Sequence, residues 1–260
     1  MKFIQGLLLI TIFFSHFALT AELQFVTNES PPTNFLKSGE PSGTTTDIVL
    51  ALQQKMGIES EIEFMPWARA YKLAFNFPNV FIFTAGRTKA RIDHGFHFIG
   101  PVITRKHTLW KKRGSPIKIT DVSDIVKQDL VIGGIRGDWR SKYFAKEGAR
   151  MNLTSYYNQN LNLLMRGRVD LWIASDISAP SHVKNSGYKM EDIEVAMVFK
   201  QSPSYIMISK DTPTEVVKAW KQGYQELLLS SHSFEKLSKK WSRQLGLDLK
   251  FTADKGFHVE

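Results

Sequence analysis

Residues 83–102 read FTAGRTKARIDHGFHFIGPV. An apolar run ends at Phe83 and breaks into a turn carrying Arg87 and Arg91, after which aromatic and apolar residues return. Two guanidiniums at the end of a buried strand are either solvated surface charges or donors facing a cleft. The second reading fits an anion site, because a guanidinium presents a planar fork that grips a carboxylate with two hydrogen bonds.

Working outward, the pattern alternates between strands and helices. Upstream, Leu23 to Thr27 reads as a strand, followed by the polar turn NESPPTNF at 28–35. Thr44 to Met56 reads as an amphipathic helix, with Thr44 to Thr46 offering an N-cap and Gly57 ending it. Strand alternation follows at Ile58 to Phe64, then Pro66-Trp67 opens a helix through Phe75, and Val80 to Thr84 is a buried strand. Downstream, LWKKRGSP at 109–116 reads as a crossing into a second alternating section. That section holds a short helix near Asp121 to Val126, the strand DLVIGGI, helices at about Asp138 to Glu147 and Asn158 to Arg166, the strand VDLWIA, and a helix from about Ile177. VAMVF, at 195–199, reads as a strand that leads to KQSPSYIMISK, at 200–210, the return crossing. Two long helices, Thr214 to Leu229 and Ser233 to Gln244, close the chain, and Asp248 to Glu260 reads as an irregular tail. Strands alternating with helices point to an α/β layer architecture. Two crossings between two lobes make a hinge, and hinged lobes close around ligands.

Composition bounds the rest. Residues 1–21, MKFIQGLLLITIFFSHFALTA, have a basic start, a short apolar run and small residues near Ala18 and Ala21, the anatomy of a secretory signal peptide. Leu19 stands where a small residue is usual before the cut, so an uncleaved N-terminal anchor is the alternative. The chain has 260 residues and a formal net charge of +9, which becomes +8 without Lys2. No later run is apolar enough to span a bilayer. Zero cysteines excludes disulfides, thiolate metal sites and cysteine nucleophiles. An exported chain of this kind fits a bacterial periplasm. The basic residues are scattered and form no nucleic-acid-binding motif, so the charge favours anionic ligands or an anionic envelope surface. His94, His97, His107, His182, His232 and His258 show no metal-ligand spacing, and no cofactor motif is present.

Taken in order, these segments resemble the periplasmic solute-binding proteins of family 3, over about residues 23–246. TTTDIVLALQQKMGI resembles the family's first helix, and the 83–102 stretch its threonine-and-arginine loop. DLVIGGIRGDW resembles the strand and glycine turn opening the second lobe, LMRGRVDLWIASD a Gly-Arg-Val-Asp strand, and LSKKWSRQLG the closing helix. PWARAY at 66–71 suggests a subgroup often found without an obvious transporter partner.

The resemblance implies a two-lobed periplasmic-binding-protein fold of type II, each lobe a sheet flanked by helices and joined by a two-crossing hinge. It implies residues 22–110 with 202–247 as one lobe, 111–201 as the other, and 248–260 as a tail. It implies a monomer binding a small carboxylate-bearing solute, an amino acid or a relative, for an ABC permease or a membrane sensor. Arg91 matches the arginine that pairs with the ligand's carboxylate, with Thr84, Thr88 and Arg87 beside it.

Gly137 and Asp138 sit in the second lobe's turn, where Asp138 replaces a small hydroxyl residue and is either a ligand contact or an N-cap. An aspartate after the VDLWIA strand is the family's ammonium acceptor. By spacing that position is Ser175, with Asp176 one residue late, so either of them faces the cleft. Glu29, Trp67 and Arg69 lie where first-lobe residues meet ligand, and Trp67 is equally suited to the core. The same fold hosts a few dehydratases of prephenate-like acids, for which Glu29, Asp138 or Asp176 would serve as acid or base. No Ser/His/Asp order or paired-carboxylate motif accompanies them.

Overall fold

The computed structural model describes residues 22–259, so the expected leader at 1–21 lies outside the described residues. The first half builds strands β1 (Gln24–Thr27), β2 (Phe35–Lys37) and β3 (Glu40–Ser42), helix α1 (Thr44–Met56), β4 (Ile62–Phe64), α2 (Trp67–Asn76), β5 (Val80–Gly86) and the short helix α3 (Lys89–Asp93). The long strand β6 (His97–Lys112) leads into α4 (Val122–Lys127), β7 (Val131–Ile135), α5 (Trp139–Lys146), β8 (Arg150–Thr154), α6 (Tyr157–Met165), β9 (Leu171–Ser175) and α7 (Ala179–Asn185). A second long strand, β10 (Ile193–Ile208), returns the chain to α8 (Thr214–Leu229), α9 (Ser231–Leu245), β11 (Leu249–Thr252) and β12 (Gly256–Val259).

The strand order is β4-β1-β5-β10-β6-β9-β7-β8. Parallel β4, β1 and β5 form one half, and parallel β9, β7 and β8 the other. Between them the two crossing strands, β6 and β10, pair antiparallel along nearly their whole length, with three register shifts in β10.

Burial on both faces explains the continuous apolar runs, as expected of parallel sheets covered by helices. In β5, Phe81 and Phe83 pack with α1 and α8 through Ile48, Leu52 and Trp220, while Val80 and Ile82 pack with Trp67, Ala70 and Ala74 of α2. In β9, Leu171 and Ile173 face Ile125 and Phe144, while Trp172 and Ala174 face Leu161 and Leu164 of α6.

Two of the recognised sequence segments act as fasteners. Lys240 Nζ and Trp241 Nε1, in the closing helix, donate to Asp47 Oδ2 in the first turn of α1 at 2.6 and 2.8 Å. Asp170 of the Gly-Arg-Val-Asp strand accepts from the Val131 amide at 2.8 Å and fixes the start of β7.

The structure departs from the sequence reading in four places. The crossing is not at LWKKRGSP: His107 to Trp110 already pair with Ser175 to Trp172 of β9, so the chain passes between halves near Arg105, within an unbroken strand. The tail is not irregular: Leu249 to Val259 form an antiparallel hairpin whose Phe257 aligns with Ile103 of β6. The threonines do not cap α1. Its cap residue is Gly43, and carbonyls of Pro32 and Thr33 take the amides of Thr44 and Thr45. Gly43 is required there, at φ +140, because a Cβ would lie 2.1 Å from the Thr33 carbonyl oxygen. Finally, the arginine turn is itself helical, with Arg91 in the last turn of α3.

Candidate functional site

Between the halves a cleft is lined by Asn28, Ser30, Trp67, Thr84, Gly86, Arg91, Arg105, Asp138, Trp139, Arg140 and Tyr157. Its residual space is about 20 Å³, enough for one or two water molecules. A larger hollow, about 1030 Å³ between α9 and the terminal hairpin, lies away from these arginines and is lined by Phe234, Leu249 and Phe251.

Arg91 is 4 % exposed. The backbone places it: Thr88 caps α3 by accepting the Arg91 amide, and the guanidinium turns back to donate from Nη1 to the Gly86 carbonyl at 2.6 Å. The Trp67 and Tyr71 rings lie 5.0 and 5.3 Å from Cζ and supply a cation–π cradle. Burial pulls this guanidinium below its ordinary pKa, so its charge is held at a desolvation cost.

Opposite it, Asp138 caps α5. Its Oδ1 accepts from the Arg140 amide at 2.7 Å, and its two oxygens accept from Arg140 Nε and Nη2 at 2.9 Å each. Burial alone would raise the Asp138 pKa, but the Arg140 charge and hydrogen bonds hold it down to about 2. Arg140 Nη2 also donates to the Tyr157 hydroxyl at 2.7 Å. Asp138 is thus the N-cap of α5, and it also lines the cleft.

The third guanidinium comes from the crossing strand itself. Arg105 is 7 % exposed and donates from Nη2 to Ser204 Oγ of β10 at 2.8 Å, while its buried Nε has no partner. Burial, and then the neighbouring Arg140 charge, bring its pKa down to about 10. Thr84 has φ +62 and donates from Oγ1 to Asn34 Oδ1 at 2.6 Å, which anchors the cleft floor to the first loop. Trp67 Nε1 is buried without a partner.

Of the residues singled out in the sequence, Arg91, Thr84, Trp67 and Asp138 line the cleft together. Gly137, at φ +77, lies at the contact between halves, where a Cβ would sit 3.3 Å from the Ala68 Cβ. Arg87 and Thr88 line an adjoining hollow with Trp139, Lys200 and Tyr205. Arg87 is exposed, with its Cζ 5.7 Å from the Phe98 ring. Glu29 is exposed beside Tyr156 and His182, and Arg69 is exposed on α2.

Neither candidate ammonium acceptor lines the cleft. Ser175 is fully buried and bonds to Ser178 at 2.8 Å, and Asp176 Oδ1 accepts from the amides of Lys106 and Ile177. Residues the sequence reading passed over are Asn28, Ser30, Gly86, Arg105, Arg140 and Tyr157. For Arg140 a signal was present, an arginine two residues after a helix-capping aspartate. For Arg105 the only hint was a charged pair, Arg105-Lys106, inside a strand.

The sequence profile of the bacterial extracellular solute-binding proteins, family 3, matches residues 23–244. The chain belongs to that family. It is a family of binding proteins, not of enzymes. Among solved structures, a histidine kinase sensor domain with similarity to periplasmic binding proteins matches at TM-score 0.73 and 17 % identity, over 84 % of this chain and 95 % of that one. The arginine-, lysine-, histidine-binding protein ArtJ from Geobacillus stearothermophilus matches at TM-score 0.69 and 17 % identity, over 85 % and 95 %. The substrate binding protein of an amino acid ABC transporter matches at TM-score 0.69 and 19 % identity, over 85 % and 100 %. At such identities these likenesses establish the two-lobed solute-binding fold. No curated protein sequence matches the chain significantly.

Proposed function

We propose that this solute-binding protein closes its lobes around a small carboxylate-bearing solute, an amino acid or a related compound, in the periplasm, and delivers it as a monomer to an ABC permease. The observation that carries this reading is the convergence of Arg91 from the first lobe, Arg105 from the crossing strand and Arg140 from the second lobe on one interlobe cleft. Guanidiniums brought together from separate elements are suited to an anion that bridges them. ArtJ and the amino acid transporter component support an amino acid relative and a transport role. The leader-like residues 1–21 and the absence of cysteine support export. A second reading, partnership with a membrane receptor, is favoured by the likeness to the histidine kinase sensor domain.

A thermal-shift panel of the common amino acids, polyamines and small di-acids tests the proposal. Ligand at ~100 times Kd stabilises the folded state by roughly 2.7 kcal/mol. A hit among carboxylate compounds that is lost in Arg91→Met supports the reading. Stabilisation only by compounds without a carboxylate sinks it.

Closure has its own signature. A Cβ on Gly86 would lie 2.9 Å from Trp139 Nε1, across the cleft mouth. Gly86→Val is expected to leave the melting temperature within ~2 °C of wild type, as a strand-compatible change, while weakening binding of the panel hit at least ~10-fold by opposing closure. Small-angle scattering checks the cause: ligand contracts the native protein and fails to contract the variant. Equal contraction of both discards the closure account.

A further inference from the structure

The cleft has a charge balance that the amino-acid reading does not need. Three guanidiniums and one carboxylate line it, a formal +2. The carboxylate, Asp138, is already engaged, since Oδ1 accepts from the Arg140 amide and Nε and Oδ2 accepts from Nη2. The buried polar atoms that line the cleft without partners are Arg105 Nε and Trp67 Nε1, and both donate only. The Tyr157 oxygen already accepts from Arg140, which leaves its hydrogen to give.

The candidate ammonium acceptors are turned elsewhere. Asp176 Oδ1 is committed to the Lys106 and Ile177 amides, Ser175 closes on Ser178, and Glu29 is exposed beyond the cleft. An ammonium in this cleft would face three guanidiniums and find no unengaged carboxylate among the described lining residues. A second anionic group would meet unengaged donors.

We propose that the cleft selects a small dianion that carries no ammonium group, with Arg91 and Arg105 as the two anion-gripping residues and the Asp138–Arg140 pair as the wall that excludes an amine. The inference rests on the interlobe cleft being the solute site and replaces the amino acid by a group of two negative charges, carried on two carboxylates or on one phosphate; a phosphate solute would leave the cleft as the site and set aside the carboxylate reading. Dicarboxylates and phosphomonoesters share the required chemistry. Both present two negative charges as planar or trigonal sets of acceptors that match a guanidinium fork.

Isothermal titration of the purified protein with succinate, glutarate and glycerol 3-phosphate, beside aspartate, glutamate, glutamine and arginine, decides it. Succinate or glutarate is expected to bind at least ~10-fold tighter than its α-amino counterpart, aspartate or glutamate, or else glycerol 3-phosphate is expected to bind tighter than any amino acid, which would identify the phosphate form of the class. The favoured dianion is expected to lose at least ~10-fold in affinity in Arg105→Met and to weaken steeply with added salt.

Aspartate or glutamate binding as well as or better than the matching di-acid overturns the inference. If that binding depends on Arg91, the carboxylate-solute function stands without it. Tight binding of glutamine or arginine overturns it in the same way. Silence from all three dianions also overturns it, and silence from every compound removes the carboxylate-solute function as well.

Discussion

Arg140→Met is expected to lower the melting temperature by roughly 10 °C, the largest stability effect of any cleft substitution. The reason is the partner left behind. Asp138 is 8 % exposed and takes both side-chain hydrogen bonds of its pair from Arg140. Breaking a buried ion pair from one side costs about 3–5 kcal/mol, because the remaining charge is uncompensated. For a chain of this size each kcal/mol moves the midpoint by about 2–4 °C. Adding Asp138→Asn to Arg140→Met is expected to recover part of the loss, which a double-mutant cycle by thermal denaturation reads directly. A drop under 2 °C for the single variant would mean that water reaches Asp138 after all.

The same pair sets an acid limit. The Asp138 pKa is depressed in the folded state to about 2, against about 3.9 for a free aspartate. A depressed carboxylate contributes stability that is fully present above its unfolded pKa and is lost as pH falls through the folded one. The contribution, about 2.5 kcal/mol, is therefore intact above pH ~4 and gone near pH 2. Unfolding midpoints of native protein and Arg140→Met should converge over that interval.

Arg91→Met is expected to separate binding from stability. A buried charge gripping a ligand group accounts for about 2–5 kcal/mol when truncated, or roughly 30- to several-thousand-fold in affinity for the best panel compound. Without ligand the substitution should be neutral or stabilising, because the guanidinium is buried at a cost and methionine fills the same space between Trp67 and Tyr71. Titration calorimetry and thermal denaturation of the two proteins, side by side, check this. An Arg91→Met protein that is several degrees less stable and still binds would make Arg91 a structural cation rather than a ligand contact.

Much of this architecture was legible from residue patterns because the helices that cover the sheet keep one apolar face each. α1 and α8 begin and end where their periodicity places them, and α9 falls within two residues. Val80 to Phe83 was readable as a strand because both its faces are buried. What escaped has physical reasons as well. The Lys111, Lys112 and Arg113 run looks like a linker, yet Lys111 Nζ bonds the carbonyls of Ser115 and Ile117 and pairs with Glu194, so charge here borders a strand rather than ending it. Arg105 gives no local signal, since its contact, Ser204, lies 99 residues away. The terminal hairpin did carry one: Phe251 and Phe257 flank a turn with Gly256, and their rings meet at 5.1 Å. Asp176 and Ser175 were separated by a single step of strand register, which spacing alone does not resolve.

The terminal hairpin bears on how the molecule bends. Thr104 Oγ1 donates to the Lys255 carbonyl at 2.7 Å, and Phe257 aligns with Ile103, so the outer edge of β6 is held up to residue 104 on one side. Further along the same edge Asp176 holds Lys106 through both its backbone groups, and β9 takes hold from His107. Between these two grips lies only Arg105, a pivot one residue long that is itself a cation of the cleft. Any ligand that pulls on Arg105 therefore pulls on the axle itself. The terminal hairpin, remote from the cleft in sequence, thus borders that residue in space.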